Sequence, residues 1–245
     1  QDDLDIERLA TYDGGLGEGS EETVAYDSAT QRLFVTNSDA QSVDIVDISD
    51  PSQPQKITAI DTSVHGSPTQ VAVKDGIVAV AIDVEGGDGL VGFYDAGGNF
   101  LHSVTVGNLP DHLVFTPDGM TLLVANEGED TGDAANNPLG TVSVIDLSNG
   151  LAQATVQTAD FTAFDGMAEA LREAGVRLFP DTPVSQDLEP EYIAISPDGT
   201  QAFVTLQEAN AVPVLDIATA TFLEDRKSTR LNSSHLKRTR MPSSA

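Results

Sequence analysis

Short apolar segments recur along the chain, and each is followed by a turn and a second β-rich segment. Residues 77–82 form a continuous apolar run, which is typical of a strand buried on both faces. Residues 43–47 alternate between apolar and acidic side chains, which predicts a strand with one exposed face. The stretches 116–119 and 196–199 both read Pro-Asp-Gly after a hydroxyl residue and suit type I turns. The pattern therefore predicts many short strands joined by tight turns.

These segments belong to a repeat of roughly 45 residues, a period typical of propeller blades. Each unit contains a short apolar strand, a tight turn, a β-rich strand, a loop, a third strand that ends in an acidic residue, and a fourth strand. The aligned units begin at Val24, Val71, Leu113 and Ile193. The aligned acidic residues are Asp47, Asp95, Asp146 and Asp216. Four-stranded units of this period bury their faces only against their neighbours.

We therefore predict an all-β fold, a β-propeller present as a partial arc of four blades from a seven-bladed ring. The expected blades span residues 23–62, 69–107, 111–161 and 190–225. A short helical insertion over residues 162–189 separates the third and fourth blades, with a helix capped by Asp165 and stopped at Gly175. A β-sandwich or an up-and-down barrel is the alternative, but neither predicts four copies of one motif. An open arc leaves two blade faces unprotected, which predicts poor solubility or self-association.

Charge is distributed unevenly, because residues 1–225 carry six basic residues against all 39 acidic ones. Such a body repels nucleic acid and anionic membranes. A solvated acidic surface explains the charge, and convergence of some carboxylates on divalent cations is the sharper hypothesis. The absence of cysteine excludes disulfides and thiolate metal sites. No apolar stretch is long enough to span a bilayer, and we expect a signal peptide to be absent or already removed.

The last residues, 226–245, differ in composition from everything before them. They contain six basic residues and no acidic ones, and they start where the fourth strand of the last unit should continue. They resemble translated adapter sequence, and we interpret them as a foreign tail outside the fold. A basic arm for an anionic partner is the alternative interpretation.

Candidate chemistry lies in the loops that a propeller would bring to one face: those before the first strand and after the second strand of each blade. These loops carry many carboxylates. The ligand-binding candidates are Glu21, Asp111, Asp187, Glu189 and Glu208, and the metal-binding candidates are Glu22, Glu127 and Glu191. Oxygen ligands of this kind suit Ca²⁺ or Mg²⁺, although no stretch matches the spacing of an EF-hand loop. His112, beside Asp111, is the candidate general acid or base. The familiar hydrolase motifs are missing, and we expect no organic cofactor.

Several stretches, read together, resemble the choice-of-anchor I family over nearly all of residues 5–225. The stretches that carry the resemblance include Asn126-Glu127-Gly128-Glu129 and Asp187-Leu188-Glu189-Pro190-Glu191-Tyr192. The resemblance implies a secreted or surface-tethered bacterial propeller, and some members carry alkaline-phosphatase-like or phytase-like esterase names. The matching motifs are not established catalytic signatures. A site completed by later blades would be absent from four blades.

Three functions follow as hypotheses. The first is an extracellular, periplasmic or cell-surface propeller domain that binds a ligand through its acidic face with the help of Ca²⁺. The second is a metal-dependent phosphatase or phytase-like esterase that uses Glu22, Glu127 and Glu191 as ligands and His112 as the acid or base. The third is a structural spacer of a surface protein. The expected partner is a small molecule, a phosphate ester or a surface ligand, with no nucleic acid and no membrane span.

Overall fold

The computed structural model describes residues 6–15, 23–128 and 137–223, which form four antiparallel four-stranded sheets. The predicted tail from residue 226 onward, together with Glu21 and Glu22, lies outside these ranges. The first sheet contains β1 (Val24–Asp27), β2 (Arg32–Asn37), β3 (Ser42–Asp47) and β4 (Gln55–Asp61). The second contains β5 (Ser67–Lys74), β6 (Ile77–Asp83), β7 (Asp88–Asp95) and β8 (Phe100–Asn108). The third contains β9 (Pro110–Phe115), β10 (Thr121–Asn126), β11 (Thr141–Asp146) and β12 (Thr155–Asp160). The fourth contains β13 (Tyr192–Ile195), β14 (Gln201–Thr205), β15 (Val214–Asp216) and β16 (Thr221–Phe222).

Within each sheet the strands pair in chain order, and the first strands of neighbouring sheets contact one another in the same order. The all-β prediction is confirmed by these sheets and by the small amount of helix. The seven-bladed ring stays a prediction.

The apolar side chains of each strand alternate between two interfaces. Along β6, Val78, Val80 and Ile82 pack toward the first sheet. Ala79 and Ala81, on the opposite face of the same strand, pack toward the third sheet. Because successive side chains of a strand point to opposite faces, a strand between two sheets is apolar at every position. This geometry explains the continuous apolar run in the sequence.

Three apolar cores result, one between each pair of neighbouring sheets. Phe34 and Ile45 meet Val80 between the first and second sheets. Phe93 packs with Leu122 between the second and third sheets. Further members of both cores come from alternate positions of the paired strands, so the sheets are joined by side-chain packing and not by strand pairing.

The first and last sheets each leave one face exposed. On the first sheet the exposed side chains include Val24 and Tyr26, and on the fourth they include Phe203. Each of these residues alternates along its strand with a residue that packs on the neighbouring sheet. Each of the two end sheets therefore has a neighbouring sheet on one face only, whereas the two sheets between them have one on both faces.

The insertion after the third sheet contains a 3₁₀ helix (Thr162–Met167), α1 (Ala168–Ala174) and α2 (Val184–Asp187). Gly175 ends α1 in a left-handed conformation with φ of 100°, as the sequence predicts. Asp165 differs from its predicted role as a helix cap: its carboxylate accepts hydrogen bonds from the backbone N–H and the hydroxyl of Ser185. It therefore ties the two halves of the insertion together. In the described ranges, no helix is both long and apolar enough to cross a bilayer.

Candidate functional site

Four carboxylates from the third and fourth sheets meet at one rim of the molecule, and we call this group the acidic rim. Asp111 lies at the start of β9, and Glu127 directly follows β10. Glu191 directly precedes β13, and Glu208 lies in the loop between β14 and β15. The charges of Asp111, Glu127 and Glu208 all act on Glu191.

Backbone hydrogen bonds hold two of these carboxylates in place. The N–H of Glu127 donates to the carbonyl of Leu109 at 2.9 Å, which fixes the loop after β10 against the end of the second sheet. The N–H of Glu191 donates to the carbonyl of Thr205 at 3.1 Å, so Glu191 extends the pairing of β13 with β14 by one residue. The rim is therefore built on the sheet framework rather than on free loops.

Glu191 and Glu208 interact strongly, and their pKa values move in opposite directions. Burial raises the pKa of Glu191 to about 8, and the hydrogen bond to Glu208 and the neighbouring negative charges act in the same direction. The same hydrogen bond lowers the pKa of Glu208, and Arg177 contributes to this lowering through its charge. At neutral pH the raised pKa keeps Glu191 protonated, whereas the lowered pKa keeps Glu208 ionised. A carboxyl that stays protonated for lack of counter-charge is a favourable place for a cation.

A cleft of about 840 Å³ lies beside the acidic rim, between the insertion and the loop that follows β14. Its lining includes Arg177, Phe179, Asp187, Glu189 and Glu208. Glu208 therefore belongs both to the rim and to the cleft. The cleft combines three acidic side chains with one guanidinium and one exposed aromatic ring.

The insertion is attached to the fourth sheet by main-chain contacts on the wall of this cleft. The N–H of Arg177 donates to the carbonyl of Ala209 at 2.9 Å, and its guanidinium donates to the carbonyl of Gln207 at 3.2 Å. The carboxylate of Asp187 accepts the N–H of Phe179 at 2.8 Å. Asp187 thus positions the segment that carries Phe179, in addition to lining the cleft.

His112 lies close to the rim but inside the protein, with 5% of its surface exposed. Its ring stacks on Tyr192 with centroids 3.6 Å apart, and its Nδ1 accepts the backbone N–H of Ile193 at 3.3 Å. Burial lowers the pKa of His112 to about 4, so the imidazole is neutral at physiological pH. This environment favours a packing role that joins the third and fourth sheets, and a catalytic role for His112 stays a prediction.

The structure brings most of the predicted site residues into one region. Asp111, Glu127, Glu191 and Glu208 form the acidic rim, while Asp187 and Glu189 line the adjoining cleft. Glu21 and Glu22 lie outside the described residues, so the predicted metal set of Glu22, Glu127 and Glu191 is only partly placed. Among the residues that the structure describes, no three His, Asp or Glu side chains are arranged to hold one metal ion.

Sequence reasoning missed Arg177 and Phe179. Arg177 is one of only six basic residues before the tail, and it stands in the insertion that interrupts the repeat. Arg177 could have been identified from the sequence, because basic residues are rare before the tail and this one lies in the insertion. Phe179 carried no comparable signal, because its exposure follows from the path of the chain after α1.

Comparison with protein families gives one match that spans most of the chain. The family model of the choice-of-anchor I domain matches residues 22–227, which include all four sheets, the insertion and every residue of the rim and cleft. No curated protein matches the chain.

Two solved structures share the fold at low sequence identity. A functionally unknown protein from Desulfotomaculum acetoxidans DSM 771 superposes with a TM-score of 0.58 and 15% identity over 84% of this chain and 57% of its own. A protein from Lactobacillus plantarum superposes with a TM-score of 0.57 and 17% identity over 82% of this chain and 55% of its own. The chain therefore spans little more than half the length of these structures. Their likeness supports the β-propeller fold and nothing finer.

Proposed function

Since the chain belongs to the choice-of-anchor I domain family, we propose that this surface-type β-propeller domain binds an anionic surface ligand through Ca²⁺ at its acidic rim. The single observation that carries the proposal is the convergence of the four rim carboxylates at the mouth of an open cleft, where burial and the neighbouring negative charges raise the pKa of Glu191. A divalent cation in place of the Glu191 proton would offset two of the four negative charges of the rim instead of one. Calcium accepts several carboxylate oxygens in flexible arrangements, which suits ligands from two sheets.

Calcium and the ligand bind together in this proposal, each depending on the other. Glu127 and Glu191, two of the predicted metal ligands, interact electrostatically, and Glu208 joins them through its hydrogen bond with Glu191. The described residues alone do not form a three-ligand metal site. Oxygen atoms of the ligand would complete the coordination, as a phosphate ester or a carboxylate can do.

The cleft supplies contacts for the rest of the ligand. The Arg177 guanidinium suits a phosphate or carboxylate group, and the exposed ring of Phe179 offers an apolar surface beside it. Glu208 links the two parts of the site, because it lines the cleft and also contacts Glu191. A ligand with an anionic group next to an apolar or ring-shaped body matches this arrangement.

Isothermal titration calorimetry with Ca²⁺ at pH 7 tests the proposal. We expect binding that releases close to one proton per ion, which is measured by repeating the titration in buffers of different ionisation enthalpy. Glu191→Gln should weaken binding roughly 10-fold or more and abolish the proton release, whereas Glu208→Gln should weaken binding to a similar degree and only reduce the proton release. The matched control is Glu169→Gln, which removes an exposed carboxylate on α1 and should change neither quantity. Equal binding by all four proteins would contradict the proposal.

A phosphate-ester hydrolase is the second function that the sequence predicts, and the structure offers less support for it. The proposed acid or base, His112, is buried, neutral and already hydrogen-bonded through Nδ1. We therefore favour binding over hydrolysis. Hydrolysis of p-nitrophenyl phosphate that chelation abolishes, and that His112→Gln reduces by at least 100-fold, would reverse this preference.

We further propose that the four sheets form part of a seven-bladed ring in a secreted or surface-tethered protein. The exposed faces of the first and fourth sheets support a continuing ring, and the greater length of both solved structures allows for further sheets.

A further inference from the structure

Phe179 is the most exposed of the Phe and Tyr side chains that the structure describes. Its side chain is 70% exposed, compared with 57% for Tyr192 and 56% for Phe100. The ring lines the cleft beside the acidic rim and does not lie on an open sheet face. Ligand sites commonly place an aromatic ring beside a few polar groups in a cleft. The ring of Phe179 is therefore available to a ligand that enters this cleft.

Three local features fix the backbone that carries this ring. The carboxylate of Asp187, at the end of α2, accepts the N–H of Phe179 at 2.8 Å. The guanidinium of Arg172, in α1, donates to the carbonyl of Phe179 at 2.8 Å. Pro180 follows directly and restricts the backbone of Phe179 to extended conformations. The ring is thus held on a rigid segment although most of its surface is exposed, and a rigid contact loses less conformational entropy on binding.

The polar side chains around this ring are rich in hydrogen-bond acceptors. Three carboxylates line the cleft, namely those of Asp187, Glu189 and Glu208. An ionised carboxylate accepts hydrogen bonds and donates none. Further lining groups can both donate and accept: the amides of Gln186 and Gln207 and the hydroxyl of Thr182. A ligand that fits this lining therefore carries several donors, and hydroxyl groups supply donors without adding positive charge.

This combination of groups favours a carbohydrate over other anionic ligands. A pyranose ring has hydroxyl donors around its edge for the carboxylates and a face of C–H groups for the ring of Phe179. Nucleic acids and anionic membranes are repelled by residues 1–225, which carry six basic residues against 39 acidic ones. A nucleotide offers a base for stacking but has fewer hydroxyl groups for the three carboxylates. The volume of about 840 Å³ lies in the upper part of the range for small-molecule sites, roughly 300–1,000 Å³, which suits a short oligosaccharide.

We propose that the cleft binds an anionic carbohydrate, with a pyranose ring stacked on Phe179 and its hydroxyl groups donating to the carboxylates of the cleft. The inference rests on the proposed function, because the anionic group of the sugar is the group that calcium holds at the acidic rim. The carboxylate of a uronic acid and the phosphate of a sugar phosphate share this chemistry, since each can bind calcium and the guanidinium of Arg177. Arg172 acts as a positioning residue that holds the segment of Phe179.

Isothermal titration calorimetry at pH 7, with Ca²⁺ and with a chelator, tests the proposal. The probes are a galacturonate oligomer, its fully methyl-esterified counterpart, glucose 6-phosphate and adenosine monophosphate. We expect at least one of the two anionic sugars to bind in the presence of Ca²⁺, and the tighter of them identifies the source of the anionic group. The methyl ester should bind roughly 10-fold or more weakly than the galacturonate oligomer if the carboxylate is used, because it lacks the charge-assisted contacts.

Substitution of the exposed ring gives the sharper comparison. Phe179→Ala should weaken binding of the tighter anionic sugar roughly 10-fold or more, as expected for an aromatic anchor, whereas Phe179→Tyr should retain it. The matched control is Phe100→Ala, which removes a 56% exposed ring from β8, outside the lining of the cleft, and should leave binding unchanged. Circular dichroism melting of each variant checks that the fold is intact.

The outcomes separate this inference from the calcium site on which it rests. Equal binding by Phe179→Ala and the native protein would overturn the carbohydrate site, as would tighter binding of adenosine monophosphate than of either anionic sugar. Failure of both anionic sugars to bind, while Ca²⁺ still binds with release of a proton, would overturn the carbohydrate site and leave the calcium site intact. Phe179-dependent binding of a sugar that persists in the chelator would support the carbohydrate site and remove the calcium bridge.

Discussion

The second and fourth sheets derive from the same repeat but differ in what surrounds them. The strands of the second sheet contain 8, 7, 8 and 9 residues, and both faces are covered by neighbouring sheets. The strands of the fourth sheet contain 4, 5, 3 and 2 residues, and one face is open. The two central strands of the enclosed sheet carry mostly apolar side chains, whereas the half-covered sheet carries Glu191 and Glu208 of the rim and borders the cleft. The cleft therefore lies where the repeat is least enclosed.

The largest expected effect contrasts two phenylalanines of these sheets. Phe93→Ala empties a fully buried position between the second and third sheets and should lower the free energy of unfolding by about 3–5 kcal/mol. Phe203→Ala truncates a ring that is 41% exposed on the open face of the fourth sheet, and it should cost less than about 1 kcal/mol. Urea denaturation followed by circular dichroism measures both. Equal losses would show that the two sheets are enclosed to the same degree.

A second contrast concerns the joint between the third and fourth sheets, where His112 is buried. Its pKa of about 4 in the folded protein lies below the ordinary value of 6.5. The unfolded chain therefore binds more protons between these values, and stability should fall by up to about 3 kcal/mol as the pH decreases from 6.5 to 4. His112→Gln should flatten this part of the stability profile, whereas substitution of the exposed His65 by glutamine should leave it unchanged. Denaturant midpoints at several pH values provide the test, and an unchanged slope in His112→Gln would contradict the assignment.

The attachment of the insertion gives a third, smaller effect. A Cβ on Gly140 would lie 1.9 Å from the carbonyl oxygen of Leu188, which leads from α2 to the rim. Gly140→Ala should therefore shift the backbone near Glu189 and lower stability by about 1–3 kcal/mol. A Cβ on Gly166 would have no neighbouring atom within 4 Å, so Gly166→Ala should change stability by less than about 0.5 kcal/mol. Thermal melting of the two variants distinguishes a clash with the Leu188 backbone from a general effect of replacing glycine by alanine.

Much of the fold could be predicted because the repeat encodes it locally. The turn at Pro117-Asp118-Gly119 forms as the sequence indicates, with Gly119 at φ of 72° and the Asp118 carboxylate accepting the N–H of Met120. The alternation along strands likewise specifies which side chains enter which core. These features depend on residues near one another in the sequence, and so a single sequence reveals them.

The site could be predicted only in part, because its decisive contacts join distant segments. The sequence indicated that acidic loops converge, and it identified Glu191 and Glu208, but it did not indicate that these two side chains interact directly. Phe179 takes its place through a hydrogen bond to Asp187, and Arg177 through contacts with the loop after β14. Asp165 illustrates the same limit, since its partner Ser185 lies 20 residues away. The local sequence pattern predicts the strands and helices, but it does not predict which distant residues form hydrogen bonds around the cleft.

Calcium binding at the acidic rim is tested most directly by the ionisation of Glu191, followed through the carbon-13 chemical shift of its side-chain carboxyl as the pH is raised. Without calcium we expect a midpoint near 8, and Glu208→Gln should lower it by removing one of the neighbouring negative charges. Saturating Ca²⁺ should move the midpoint several units lower, because the cation replaces the proton. A midpoint near 4.5 that is the same with and without calcium would contradict both the raised pKa of Glu191 and a cation site at the acidic rim.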